Sequence, residues 1–286
     1  MNPNFVTIGH ITKDLLPDGG FVPGGTVTFA SITARNLGQR AGMITAAPRE
    51  LRQLPLYHDI DIRGPETEVA TIFENIYQPW GREQFVRATA PVIRFDDVPE
   101  EWRGKAGGIE IVHLGPVDQE CDPGLVKAFP DALIGLTPQG FMREWPNNGK
   151  VQAIEWLGAR ELLPRVSALV LSAEDLPKSP RGQEMLQEFI ELCPIVAYTQ
   201  GPRGCTIFHG GQATRVPAYP AQEIDPTGAG DVFATAYLLH LRKTGDPIEA
   251  ACFANAAAAC NIEKPGATGV PTLSEVEARL RLTPLD

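Results

Sequence analysis

A chain of 286 residues with 43% hydrophobic and 21% charged residues can bury a substantial core and has the makeup of an ordinary globular protein. Its formal net charge of -10 and isoelectric point near 5.1 exclude the broad basic face that nucleic acid or an anionic membrane demands, although local backbone NH groups can still hold a phosphate. The five cysteines, Cys121, Cys193, Cys205, Cys252 and Cys260, are odd in number, widely spaced and without a C-x-x-C pair, so we expect reduced thiols in a soluble cytoplasmic protein and no disulfide framework or zinc site. The first residues lack the basic region and long apolar stretch of a signal peptide, and no apolar run approaches the length of a membrane span.

Residues 5–9 form a short apolar strand, and 11–22 have strand-turn-strand character around Pro17-Asp18-Gly19-Gly20. A helix over 24–37 opens on two glycines and leads into a strand over 42–46, a β-loop-α-β beginning. Residues 69–77 and 84–90 read as a hairpin across Pro79-Trp80-Gly81-Arg82, and both faces of its first strand are partly apolar, so each needs cover. Short apolar runs at 109–114, 132–136, 168–171 and 195–199 alternate with helical stretches, which predicts a mostly parallel sheet covered on both faces. Three helices follow: 232–241, apolar on nearly every side; 248–262, rich in alanine; and 274–282, with Ser274 as its cap. No repeat, low-complexity tract or linker divides the chain, which reads as one α/β domain over 1–286.

The run Asp225-Pro226-Thr227-Gly228-Ala229-Gly230-Asp231 stands immediately before the first of those helices. Glycines permit positive φ and close approach, so the NH groups of Gly228, Ala229 and Gly230 can converge on one oxyanion, which the helix dipole also favours. Asp231, in the first turn, faces whatever they hold. A plain capped turn with Thr227 as N-cap would not need two glycines beside a carboxylate. A dinucleotide fingerprint fails at its third glycine, where Phe233 stands, and no G-x-x-x-x-G-K-[ST] loop, G-x-S-x-G elbow or H-E-x-x-H helix occurs.

This run resembles the D-T-x-G-A-G-D signature of the ribokinase-like (PfkB) carbohydrate kinases, in a D-P-T-G-A-G-D form similar to that of their inositol kinases. The resemblance extends over nearly the whole chain. It implies a three-layer α/β/α sandwich with a mostly parallel central sheet, and a small β lid from segments at about 10–23 and 66–98 that closes over the substrate or serves as a homodimer clasp. It also implies Asp231 as catalytic base, with Gly228, Ala229 and Gly230 holding charge on the transferring phosphoryl group.

Other matches follow in the family's order. Asp14, in Gly9-His10-Ile11-Thr12-Lys13-Asp14, stands for the early Asp that accepts bonds from substrate hydroxyls. Gly24-Gly25 resembles the family's glycine pair, but the Asn expected four residues on is Phe29, whose ring either stacks on the CH face of a cyclitol or simply packs in the core. Thr137-Pro138-Gln139-Gly140-Phe141-Met142-Arg143 is similar to D-x-Q-G-x-x-R, which implies Gln139 at the substrate and Arg143 over the phosphoryl group. Ser172-Ala173-Glu174-Asp175 stands where the family has N-x-x-E, so Glu174 or Asp175 would supply charge for magnesium. Thr199, Gly201 and Gly204 resemble the T-x-G-x-x-G turn beside the nucleotide phosphates, and the resemblance also implies Asp225 and Thr227 as nucleotide-binding residues, with Asn255 on the helix that borders adenine. The implied activity is transfer of the γ-phosphoryl group of ATP, with Mg2+, to a hydroxyl of a small sugar or cyclitol, myo-inositol first. Ribose, another sugar or a nucleoside is the alternative acceptor, and a catalytically weak polyol-binding homologue the alternative of a different class.

Overall fold

A computed structural model of the chain describes residues 1–78 and 81–285, so Pro79 and Trp80 of the expected hairpin turn lie outside the described residues. In chain order the strands are β1 (Phe5–Ile8), β2 (Thr12–Leu15), β3 (Phe21–Gly24), β4 (Ala41–Ile44), β5 (Asp61–Arg63), β6 (Thr71–Gln78), β7 (Gly81–Ala88), β8 (Ile111–Leu114), β9 (Leu133–Leu136), β10 (Arg143–Glu144), β11 (Gln152–Ala153), β12 (Ala168–Ser172), β13 (Ile195–Thr199), β14 (Cys205–His209) and β15 (Gln212–Val216). The α-helices are α1 (Thr26–Asn36), α2 (Arg49–Arg52), α3 (Ala159–Leu162), α4 (Pro180–Leu192), α5 (Ala229–Thr244), α6 (Pro247–Asn261) and α7 (Leu273–Arg279).

Nine strands form one sheet in the order β15-β14-β13-β12-β9-β8-β1-β4-β5, parallel from β5 to β13 and antiparallel at β14 and β15. Strand period places alternate residues on opposite faces. Phe5, Ile111, Val170 and Ala197 join the core beneath α1, α5 and α6, while Val6, Val112, Leu171 and Val196 join the core on the other side with α3 and α4. The three layers follow, and each fully buried Leu, Ile or Phe in them contributes about 1.5–3 kcal/mol. Helix α5 lies so close to β9 that a side chain at Gly135 would overlap Leu238.

The expected helices and parallel strands stand within a few residues of their predicted bounds. Helix α7 is capped by Thr272, not Ser274, in a capping box with Glu275. The hairpin of β14 and β15 was not among the expected elements, although its Gly210-Gly211 turn, both residues at positive φ, is a strong two-residue hairpin signal.

A second sheet stands apart from the first. Its order is β3-β2-β6-β7, with β2 and β6 parallel and the other pairs antiparallel, so the two strand-rich stretches that break the α/β rhythm combine into one small sheet. A buried polar strap fastens it. His10 Nδ1 lies 2.7 Å from Thr71 Oγ1 and 3.2 Å from Asp118 Oδ1, His10 Nε2 lies 2.9 Å from Pro91 O, and Thr71 donates to Asp118 Oδ2 at 2.9 Å. With the Thr71 proton given to Asp118, both ring nitrogens of His10 act as donors and the ring is cationic. Burial opposes that charge, but the bond to Asp118 and the Glu120 and Asp118 carboxylates outweigh it and raise the His10 pKa. Glu120 in turn accepts backbone NH groups from His10, Val117 and Asp118. The His10, Asp118 and Glu120 ligand atoms lie within 4.8 Å of one another, as close as a metal site requires, but both ring nitrogens of His10 and both oxygens of Glu120 already have partners in the strap.

Candidate active site

The glycine-rich loop is held at its start by Asp225, whose carboxylate accepts the NH of Thr227 at 2.9 Å and of Gly266 at 2.8 Å. Burial alone would raise its pKa, yet the bonds from Thr227 and Gly266 outweigh it and hold Asp225 below the usual carboxylate range. Gly228 follows as the N-cap of α5 in the left-handed region, φ 77°, where a side chain would also overlap the Phe29 ring. Its carbonyl accepts Val232 NH at 2.9 Å and starts the helix.

Not all three expected NH groups are available. Ala229 NH donates to Pro226 O at 3.2 Å, whereas those of Gly228, Gly230 and Asp231 find no acceptor among the described residues. These are the orphan donors of a helix start, and they lie at the positive end of the α5 dipole. Gly230 is exposed, and a Cβ added there would meet nothing within 4 Å, so the space in front of the loop is open.

Asp231 is half-buried in the first turn of α5. Withdrawal of its carboxyl from water raises its pKa to about 6, against a hydrogen bond from Thr26; the nearby Asp175 charge raises it further and the Arg143 charge lowers it. The loop with Asp231, Thr26, Arg143 and Asp175 are thus brought together from four parts of the chain. Asp175 is fixed in turn, Oδ1 accepting Gln139 Nε2 at 3.2 Å and Oδ2 accepting Ser172 NH at 2.8 Å. Gln139, Arg143, Glu174 and Asp175 line one cavity of about 440 Å³, together with Glu83 and Gln84 of β7 and Lys150 of the β10–β11 hairpin. Glu174 is exposed there and Asp175 half-buried. Two carboxylates facing one open cavity are hard oxygen donors of the kind magnesium takes while retaining several waters.

Asp14 lies on β2 of the small sheet, where Thr12 Oγ1 donates to its Oδ1 at 2.9 Å. It leans over Gly24, where a Cβ would stand 2.5 Å from Asp14 Oδ2, so this glycine makes room for the carboxylate. Gly25, φ 85°, then opens α1, which a side chain against His10 O would prevent.

Two expected contacts, those of Asn255 and Ala229, are corrected, and of the two readings of Phe29 the core one holds. Phe29 is only 4% exposed and its ring packs beneath Gly228, so it supports the loop and offers no face to a substrate. Asn255 is buried, and its amide nitrogen donates to Val216 O at 3.2 Å and Pro217 O at 3.0 Å, which makes it a strut for the end of β15. Ala229 spends its NH inside the loop. Thr199 ends β13, and Gly204, φ 79°, meets the Val216 carbonyl so closely that only glycine fits. Gly201, φ 58°, begins the turn between them, and Thr227 O accepts Asn261 Nδ2 at 3.0 Å. Sequence reasoning missed Thr26, although it directly follows the glycine pair, and it missed Lys150, which no local pattern marks.

The description "pfkB family carbohydrate kinase" matches residues 160–273. Inositol 3-kinase of Zea mays is 28% identical over 93% of this chain and 73% of its own length. A solved pyrophosphate-dependent kinase in the ribokinase family, complexed with a pyrophosphate analog and myo-inositol, superposes with a TM-score of 0.76 at 23% identity, covering 96% of this chain and 99% of that one. Arabidopsis thaliana ribokinase complexed with ribose and ATP does so with a TM-score of 0.72 at 18% identity, covering 99% and 100%. These structural likenesses establish the fold. No helix among the described residues is long and apolar enough to cross a membrane.

Proposed function

We propose a substrate pair for a chain that belongs to the pfkB, ribokinase-like family of carbohydrate kinases and is a phosphotransferase acting on a sugar or cyclitol hydroxyl. The donor is ATP, with magnesium, and the acceptor is myo-inositol. The observation that carries the reading is Asp231, a carboxyl raised to about 6 beside the open NH groups of Gly228 and Gly230. At neutral pH it is ionised and a stronger base than an ordinary Asp.

Asp231 takes the proton of the acceptor hydroxyl as its oxygen bonds to the γ-phosphorus. The bond from that phosphorus to the bridging oxygen breaks with its electron pair on ADP. Arg143 and the NH groups of Gly228 and Gly230 hold the charge of the transferring group, and Asp14 orients acceptor hydroxyls. General-base help of this kind is worth about 10² to 10⁴ in rate, and each oxyanion donor about 2.7–4 kcal/mol. Glu174 and Asp175 would hold magnesium, whose chemistry is to neutralise donor phosphate charge. The cyclitol is supported by the likeness to inositol 3-kinase and by the D-P-T-G-A-G-D form, and no longer by Phe29.

One observation favours inorganic pyrophosphate as a second donor. The NH groups of Gly228 and Gly230 find no acceptor among the described residues, whereas Asn255, expected at the adenine, is buried and spent on backbone carbonyls. Phosphorus NMR of the enzyme with Mg2+, myo-inositol and either ATP or pyrophosphate decides the matter. Inositol phosphate with ADP supports the first reading and inositol phosphate with orthophosphate the second. Ribose or a nucleoside turning over at least tenfold better than myo-inositol would overturn the cyclitol.

A further inference from the structure

The β7 edge of the small sheet is partly covered. Val86 NH donates to Gly149 O at 2.8 Å, Val151 NH donates to Gln84 O at 2.9 Å, and Phe85 bridges to Lys150, so the stretch between β10 and β11 is fastened along the β7 edge by one antiparallel bridge. Phe73 and Val86 of the small sheet bury themselves against Val117, with Trp145 and Val151 of the hairpin packed on them. Arg143, which opens this hairpin, and Lys150, near its tip, therefore sit in one frame with β7.

Both line the cavity beside Asp231, where two cationic side chains meet the carboxylates of Glu83, Glu174 and Asp175. The kinase reading gives roles to Arg143, Glu174 and Asp175, and leaves Lys150 and Glu83 over. Lys150 Nζ lies 2.6 Å from Glu83 Oε1, with the two side chains 41% and 27% exposed. An ion pair so open to water contributes only about 0–1 kcal/mol to stability, so it is a weak reason to place opposite charges in the wall of this cleft. It is also easily exchanged. Lysine is a point charge on a flexible stem, and a phosphate oxygen satisfies it as well as a carboxylate does.

We propose that Lys150 is a donor-binding residue, which leaves Glu83 and takes a phosphate oxygen of the incoming donor, beside Arg143 on the same hairpin. This rests on the kinase reading and adds to it a second cation for the donor, with Glu83 as the group that holds it in waiting. The phosphate chain is what Lys150 recognises, whether it comes from a nucleotide or from pyrophosphate.

Calorimetric titration of Lys150→Met, Lys150→Arg and Glu83→Gln with magnesium ATP and magnesium pyrophosphate, in the absence of acceptor, tests this. Lys150→Met should weaken whichever donor the wild type binds by about tenfold, the scale of one charge-assisted hydrogen bond, and raise that donor's KM while the acceptor's KM stays within about twofold. Lys150→Arg should recover most of the loss. Glu83→Gln, which removes the competitor, should bind donor at least as tightly as wild type. Unchanged donor binding in Lys150→Met, or a loss in Glu83→Gln equal to that in Lys150→Met, overturns the proposal, the latter because the pair would then act as a structural unit. Titration needs no turnover, so failure of every polyol acceptor would sink the proposed function without touching this result.

Discussion

Asp225 and Asp231 stand at the two ends of one loop, and the fold treats their carboxyls in opposite ways. Asp225 is half-buried, receives the NH groups of Thr227 and Gly266, and is held ionised below its ordinary range. Asp231 is also half-buried but receives no backbone NH among the described residues, so withdrawal from water prevails and its pKa rises to about 6. Donors aimed at the carboxylate decide which way each of these half-buried acids shifts, down at Asp225 and up at Asp231, the proposed base. The two glycines between them divide in the same manner. Gly228 is demanded from inside, by its φ of 77° and the Phe29 ring, whereas Gly230 has only open space in front of it.

The sharpest way to test the first contrast is Asp231→Asn, which keeps the shape and removes the proposed base. We expect kcat to fall by about 10² or more. Stability should move the other way. The native carboxyl titrates near 6 and the unfolded one near 3.8, so between those values the native state binds more protons and stability falls as pH rises. Above pH 6 the ionised group therefore costs the native state on the order of 2–3 kcal/mol, which Asn relieves. Melting curves should show a gain for Asp231→Asn at pH 8 that vanishes near pH 4, and wild-type kcat/KM should climb with pH through about 6 as the base ionises. A variant with most of its kcat, or one destabilised at pH 8, would erase the contrast.

Gly228→Ala tests the loop from the inside. The left-handed φ costs a non-glycine residue about 1–2 kcal/mol, and overlap with a buried ring about 1–3 more, so denaturant unfolding should show a loss of about 2–5 kcal/mol. Phe29→Leu opens space beneath the loop and should recover part of that loss in the double variant. Strict additivity of the two substitutions would mean that ring and glycine do not press on one another.

Much of this was legible in the chain. Strands of four to five apolar residues alternating with helices gave the parallel sheet its order of elements, because burial on both faces leaves no other reading of such runs. The loop, its glycines and Asp231 were legible because they are contiguous. The roles of single side chains were harder to read wherever they depend on what a distant segment does. Phe29 is indistinguishable from a ligand-facing ring until α5 is known to set Gly228 on top of it, and Asn255 gives no sign that β15 ends within reach of its amide. The His10–Asp118–Thr71 strap joins three segments more than 40 residues apart, and Lys150 enters the site through pairing with β7, so no local spacing announces either.

Asp225→Asn is the converse of the first substitution. Asn still accepts one of the two NH groups but loses the charge that strengthens both bonds, which should cost about 1–2 kcal/mol at neutral pH. The sign of its pH dependence is opposite to that of Asp231. A carboxylate held below its unfolded value of 3.8 contributes stability that is complete above that value and is lost as pH falls below it, so wild type and Asp225→Asn should converge in acid. Thermal melts across pH 2 to 7 would show this, and a constant difference at every pH would mean that the charge of Asp225 plays no part.

The smallest expected effect on stability belongs to Gly230→Ala, and it bears most directly on what lies outside the loop. Gly230 occupies the first turn of α5 without a positive φ, and a methyl group there would meet nothing within 4 Å. Helix propensity by itself favours alanine at such a place by about 0.5–1 kcal/mol. The fold thus gains nothing from this glycine, while the NH groups of Gly228 and Gly230 find no acceptor among the described residues. We expect Gly230→Ala to melt at or slightly above the wild-type temperature while the donor's KM rises or kcat falls several-fold, since a phosphate could no longer approach the backbone closely. Full activity in this variant would move the anion site away from the loop. A clear loss of stability would instead return Gly230 to the class of Gly228, a glycine required by packing, and the division between the inner and outer faces of the loop would not stand.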